Sequence, residues 1–136
     1  MFQYVVNASY FKNCAIVCAF PPLSHEHMVD LVEGATGWET SVWETMKVGE
    51  RALVMGRAFN AREGFTAKDD TLPDRFYTPY PSGPLQGIAI SREAIQQGLQ
   101  TYYKMSGWDP ERAVPTAEKL HELDLSWVVE ELYKTV

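Results

Sequence analysis

Apolar and polar positions along this chain recur with the period of α-helices, and no two strand-like runs are joined by a hairpin turn. The clearest amphipathic stretch covers residues 41–61. Ser41 and Glu44 have the S-x-x-E spacing of a capping box, so a helix is expected to begin at Ser41 and run to Ala61. Val42, Met46, Gly49, Leu53 and Gly56 then share one stripe, with Glu44, Lys47 and Arg51 opposite. A glycine inside a helix costs about 1 kcal/mol relative to alanine, and two on the apolar stripe point to close approach of another backbone. Glu50 and Arg57 lie nearer that stripe than the solvent side, and Asn60 lies on it.

The other elements follow the same logic. The first twenty residues are apolar and poorly amphipathic, so they read as a buried helical segment ended by Pro21 and Pro22. Ser24 is placed to cap a short helix from Pro22 or His25 to Glu33, closed by Gly34. Ser91 opens a further helix, with Ile95, Leu99, Tyr102 and Tyr103 in register and Gly107 at its end. Pro115 and Thr116 start a short helix to Leu123, and Leu125, Val128, Val129, Leu132 and Val136 mark a last amphipathic one. Between them, residues 59–87 are rich in Pro, Gly and charge, and long loops of this kind wrap something or carry function. The expected class is all-α, an irregular multi-helix fold with a long Pro/Gly-rich loop, in a single domain spanning residues 1–136.

Charge narrows the possible partners. Twelve basic and eighteen acidic residues give a net charge of −6, which argues against a general binder of nucleic acid. Four tryptophans and seven tyrosines could stack bases, but no basic groove accompanies them, so they read as packing residues. No apolar run approaches the about 20 residues of a membrane span, and the N-terminus lacks the features of a signal peptide. A cytoplasmic chain is expected.

Two groups of residues invite a chemical reading. Cys14 and Cys18 are the only cysteines, in "NCAIVCAFPP". A self-contained thiolate site for zinc or an iron–sulfur cluster needs four ligands. His25 and His27 could be recruited, but their spacing after Pro-Pro is more simply a polar helix start. Without further ligands both cysteines read as small buried hydrophobes. The second group is Arg57, Arg62, Glu63, Lys68, Asp69, Asp70, Asp74 and Arg75. Asp69 and Asp70 could serve acid–base or metal chemistry, but a salt-bridge network pinning the loop is the simpler reading. No phosphate loop, dinucleotide fingerprint, nucleophile elbow or H-E-x-x-H motif occurs.

Longer motifs carry a resemblance. Residues 36–76 contain TGW, GER, R-x-FN-x-REGF and DD-x-LP-x-R in order. Residues 102–125, "YYKMSGWDPERAVPTAEKLHELDL", follow the pattern YY-x-x-RGWD…G-x-PT-x-x-KL-x-x-LGL. In both blocks the chain resembles the C-terminal domain of the tungsten-dependent aldehyde:ferredoxin oxidoreductase family, whose members are several times longer. The resemblance implies an enzyme that oxidises a small aldehyde to a carboxylic acid and passes electrons through a 4Fe–4S cluster to ferredoxin. It also implies a tungsten (or molybdenum) centre held by two pterins.

In that family three cluster cysteines come from a C-x-x-C-x-x-x-C motif in the N-terminal part, and the fourth from D-x-x-G-L-C, usually followed by x-F. Residues 13–20 are similar to the latter, with Cys18 at the ligand position and Phe20 at the phenylalanine. The resemblance therefore implies Cys18 as metal ligand, with Asn13, Ile16 and Val17 as pterin contacts, and leaves Cys14 as a packing residue. Asn13 stands in place of Asp and Ile16 in place of Gly. Ser106, Ala113 and Asp124 stand in place of Arg, Gly and Gly. Glu50, Arg57 and Arg62 are expected to pin the long loop. The three-cysteine motif and the N-terminal cofactor-binding domain are absent from these residues. The isolated chain is therefore expected to hold no cofactor and to lack activity, having the N-terminal domains of the same enzyme as its partners. The alternative is a stand-alone, non-catalytic subunit or interaction module derived from that domain. Either way an exposed apolar face, open to homodimerisation, is expected.

Overall fold

Helix α3, Val42–Arg62, is the longest element, and the other elements are arranged around it. The computed structural model describes residues 2–133. In chain order it contains α1 (Phe2–Cys14), α2 (His25–Thr36), α3, α4 (Arg92–Met105), α5 (Ala117–Glu122) and α6 (Ser126–Tyr133). A 3-10 turn, Asp74–Tyr77, lies between α3 and α4. No strand occurs among the described residues, and the all-α class holds. Val136, expected on the last helix, lies outside the described residues.

The helix starts follow from local sequence. Ser24, Ser41, Ser91 and Thr116 each accept a hydrogen bond from the backbone N–H three residues on, satisfying a donor the helix leaves unpaired. At α2 the box is completed by His27, whose Nδ1 accepts from the Ser24 N–H, so this histidine is a capping residue. At Ser41 only half of the expected box forms, because the Glu44 carboxylate takes the Ser41 hydroxyl instead of its backbone N–H.

The helix ends share one device. At α1, α3, α4 and α5 one N–H bonds back five residues and the preceding N–H bonds back three, around a left-handed residue. Those residues are Ile16 (φ 55°), Gly64 (93°), Gly107 (68°) and Asp124 (57°). The stop at Gly107 is legible because glycine adopts this conformation without strain. Ile16 carries no such signal, so the expectation of a helix reaching the prolines is wrong: α1 ends at Cys14. Similarly α2 continues past Gly34 to Thr36, where Gly37 is the left-handed cap.

The core gathers Val54 and Ala58 of α3, Tyr103 of α4, Trp108 and Ala113 of the following connection, and apolar residues of α5 and α6. The buried line of α3 is thus Met46, Glu50, Val54 and Ala58, one residue round from the expected stripe. On the other side α1 crosses α3 at Gly49. A Cβ there would lie 1.9 Å from the Asn7 carbonyl oxygen and 3.0 Å from the Phe11 nitrogen. The expected tight crossing is therefore real at Gly49. At Gly56 it is not, since a Cβ there meets nothing within 4 Å.

The burial expected of the first twenty residues is overturned. Only Asn7, Ala8 and Phe11 of α1 are buried, while Phe2, Tyr4, Val5 and Tyr10 are exposed. Apolar side chains lie on more than one side of α1, and α3 covers only one of those sides. Gly49→Ala is expected to lower stability by about 3 kcal/mol, because overpacking here involves backbone. Gly56→Ala should instead raise it by about 0.5–1 kcal/mol through helix propensity. Urea unfolding of both variants checks the contrast.

Candidate functional site

The segment after α1 brings Asn13, Ile16, Val17 and Cys18 into one exposed turn. Asn13 is in the last turn of the helix and Ile16 is its left-handed cap. Ile16 donates its N–H to the Asn13 carbonyl at 3.1 Å, and Val17 donates to the Lys12 carbonyl at 2.9 Å. Both backbone donors are thereby committed to the cap. What Ile16 and Val17 can offer a ligand is a carbonyl oxygen or a side chain. Ile16 is 92% exposed and Phe20 97% exposed, and both thiols are free and exposed. The reading of Cys14 as a buried packing residue is therefore wrong, for it sits on the open side of the last helical turn.

No group of three or more His, Cys, Asp or Glu is gathered among the described residues. His25 stacks edge-on to Tyr4 and His27 is bound in its cap, so neither joins the cysteines. The exposed turn offers a single thiol at Cys18 where a thiolate-bound cluster takes four ligands.

The acidic and basic residues after α3 form the second candidate. Arg57, whose side chain is 9% exposed, sends Nε to the Ala113 carbonyl at 2.6 Å and Nη1 to Asp70 Oδ1 at 2.9 Å. Its Nη2 lies 2.8 Å from Asp70 Oδ2, and Tyr103 donates its hydroxyl to the same oxygen at 2.5 Å. Burial and the neighbouring Asp70 carboxylate push the Tyr103 phenol well above its ordinary range. Asp69 closes a turn instead, accepting from the backbone and hydroxyl of Thr66, which lowers its carboxyl. Asp70 and Asp69 are thus both engaged in structure, and the loop-pinning reading holds for this pair.

The expectation for Arg57 is met, but those for Glu50 and Arg62 are not. Glu50 faces Lys47 at 2.8 Å and Lys119 at 3.0 Å, joining α3 to α5 rather than to the loop. Arg62 pairs with its exposed neighbour Glu63. Lys119 escaped the sequence reading because nothing local signals a partner 69 residues away.

Comparison with known proteins bears on the turn. The family described as aldehyde ferredoxin oxidoreductase, domains 2 and 3, matches residues 1–125. The chain belongs to this family. It is 38% identical over 99 residues to the tungsten-containing aldehyde ferredoxin oxidoreductase of Pyrococcus furiosus, covering 71% of this chain and 16% of that protein. It is 43% identical over 122 residues to the aliphatic sulfonate oxidoreductase, WOR-like subunit, of the same organism, covering 85% of this chain and 19% of the relative. The chain thus spans less than a fifth of the length of these two relatives. A solved structure, the active site complex BamBC of benzoyl coenzyme A reductase with 1,5 dienoyl-CoA, superimposes with a TM-score of 0.79. It covers 97% of this chain and 20% of that one at 24% identity, and shows the fold.

The family pattern gains a physical explanation from the backbone. Among the described residues Ile16, Ala113 and Asp124 are the non-glycine residues with positive φ, and each stands where the motifs quoted above have glycine. The glycines thus answer a left-handed backbone, and this chain holds side chains there against a cost of about 1–2 kcal/mol each. Ile16→Gly should raise thermal stability by about 0.5–1 kcal/mol, since strain is relieved and the exposed side chain gives up little packing. Asp70→Asn should lower it by roughly 3 kcal/mol, leaving the Arg57 charge without its counter-ion. The same variant should make residues 66–91 more susceptible to limited proteolysis.

Proposed function

We propose that this chain is the C-terminal part of an oxidoreductase that converts a small aldehyde to a carboxylic acid and delivers the electrons to ferredoxin. Within that enzyme Cys18 provides the fourth thiolate of a 4Fe–4S cluster. The observation that carries this reading is the exposed Cys18 on the turn fixed by the α1 cap, in register with the family motif, with a donor set that completes no site by itself. The curated relatives are named as oxidoreductases.

When bound, the tungsten (or molybdenum) bis-pterin supplies two-electron redox chemistry and the cluster supplies a one-electron exit. The chain's own residues have positioning roles. The α1 cap fixes the direction in which Cys18 leaves the helix. Asn13 presents a neutral amide toward pterin, hydrogen bonding without the charge of the aspartate it replaces. Ile16 and Val17 present carbonyl oxygens and apolar side chains, because their N–H groups are spent on the cap. The exposed apolar face of α1 is the surface that the N-terminal domains cover.

Two free thiols suit a reducing cytoplasmic setting. Among the described residues no helix is long and apolar enough to cross a membrane. The second reading, a non-catalytic interaction module, shares the exposed α1 face but assigns Cys18 no ligand role; a second copy of the chain is then a candidate for covering it.

Co-expression with the N-terminal domains of a family member carrying the three-cysteine motif separates the two. Cluster absorption and bound iron should fall several-fold in Cys18→Ala and stay unchanged in Cys14→Ala. Equal iron in both variants would favour the interaction module. The 136-residue chain purified alone should be colourless and nearly free of iron, and a stoichiometric cluster spectrum from it would overturn the shared-ligand reading.

A further inference from the structure

The turn that carries Cys18 is held at both ends by one residue. Lys12 stands in the last turn of α1 and is partly buried. Its carbonyl accepts the Val17 N–H at 2.9 Å, as part of the helix cap. Its ammonium reaches the other end of the same turn and donates to the Leu23 carbonyl at 3.2 Å. Lys12 and Leu23 are 11 positions apart, with Cys18 near the middle, so this bond closes a loop that contains the thiol. The far end is fixed in its turn. The Leu23 N–H bonds to the Pro21 carbonyl at 2.7 Å, and the next residue, Ser24, is locked with His27 in the capping box of α2.

Lys12 is the only lysine or arginine in residues 1–46, a stretch that also holds Glu26, Asp30, Glu33, Glu39 and Glu44. Among the described residues it pairs with none of these carboxylates. A lone cation that leaves an acidic stretch unpaired and turns to a backbone carbonyl commits its donor to the course of the chain. A bond from an ammonium is stronger than one between neutral groups, and closing the loop removes arrangements in which the thiol points elsewhere.

We propose that Lys12 is a positioning residue for Cys18: by bridging the last turn of α1 to the Leu23 carbonyl, it holds the turn in the arrangement that presents the thiol to the other cluster ligands. This role rests on the reading of Cys18 as the fourth ligand. Lys12 acts through the turn and not on the cluster. A ligand ordered in advance binds without the cost of ordering it at that moment.

Amide hydrogen exchange of the 136-residue chain, and iron retention in the complex co-expressed with the N-terminal domains, test this together. Lys12→Met keeps an apolar stem and removes the donor, whereas Lys12→Arg keeps a charged donor of similar reach. In Lys12→Met the Leu23 and Ser24 amides should exchange about fivefold faster, with wild-type rates in Lys12→Arg. A lysine serving only the α1 dipole would affect Ala15 and Val17 and leave the far end alone. Far-ultraviolet circular dichroism of Lys12→Met should be unchanged, since the bond lies outside the helical ladders. In the complex, Lys12→Met should lose iron to a chelator about fivefold faster than wild type, and Lys12→Arg at the wild-type rate. Unchanged exchange at Leu23 and Ser24 in Lys12→Met would overturn the brace. Faster exchange with unaltered iron loss, while Cys18→Ala stays poor in iron, would overturn the positioning role and leave Cys18 a ligand. Wild-type iron in Cys18→Ala would remove the ligand reading, and this inference with it.

Discussion

The ion pair between Arg57 and Asp70 is the constraint on which the rest of this fold depends. Arg57 leaves the C-terminal third of α3 with almost no access to solvent and ends among three parts of the chain. It ties the long loop through Asp70, the connection before α5 through the Ala113 carbonyl, and the core through the Trp108 ring. Tyr103 of α4 closes the group by donating to Asp70. A guanidinium buried to this extent is tolerable because carboxylate, carbonyl and ring surround it. The segment between α3 and α4 has no regular structure beyond one 3-10 turn, so its placement rests on side-chain bonds of this kind.

A second constraint works through shape. At Gly49 the backbones of α1 and α3 come so close that no side chain fits. This crossing fixes the direction of α1 and hence the place where its last turn delivers Cys18. The left-handed cap at Ile16 then decides how the chain turns beyond the helix. The order of dependence therefore runs from a glycine in α3, through a helix crossing, to a cap, and only then to the thiol. A strained isoleucine at that cap is stability given up beside the residue proposed to bind the cluster, which is where strain tends to be retained.

The exposed face of α1 is an extended apolar surface, suited to another domain. The chain spans less than a fifth of the length of the two P. furiosus relatives, which is consistent with a surface shaped to be covered.

Much of the fold was legible without coordinates, for local reasons. Serine and threonine caps act over three residues, so the starts of α2 to α5 could be read from side chains adjacent in sequence. Gly107 marked its helix end because glycine adopts a left-handed turn without strain, and ordered motifs sufficed to recognise the family. The end of α1 was not legible, since Ile16 holds a conformation that its own chemistry disfavours. Nor was the exposure of Cys14, because an apolar helix reads as buried whether or not its covering surface belongs to the same stretch of chain. The pairing of Glu50 with Lys119 and of Arg57 with Asp70 joins residues 69 and 13 positions apart. Local sequence determined where helices begin and which family they build; packing decided which charges meet and which thiols face solvent.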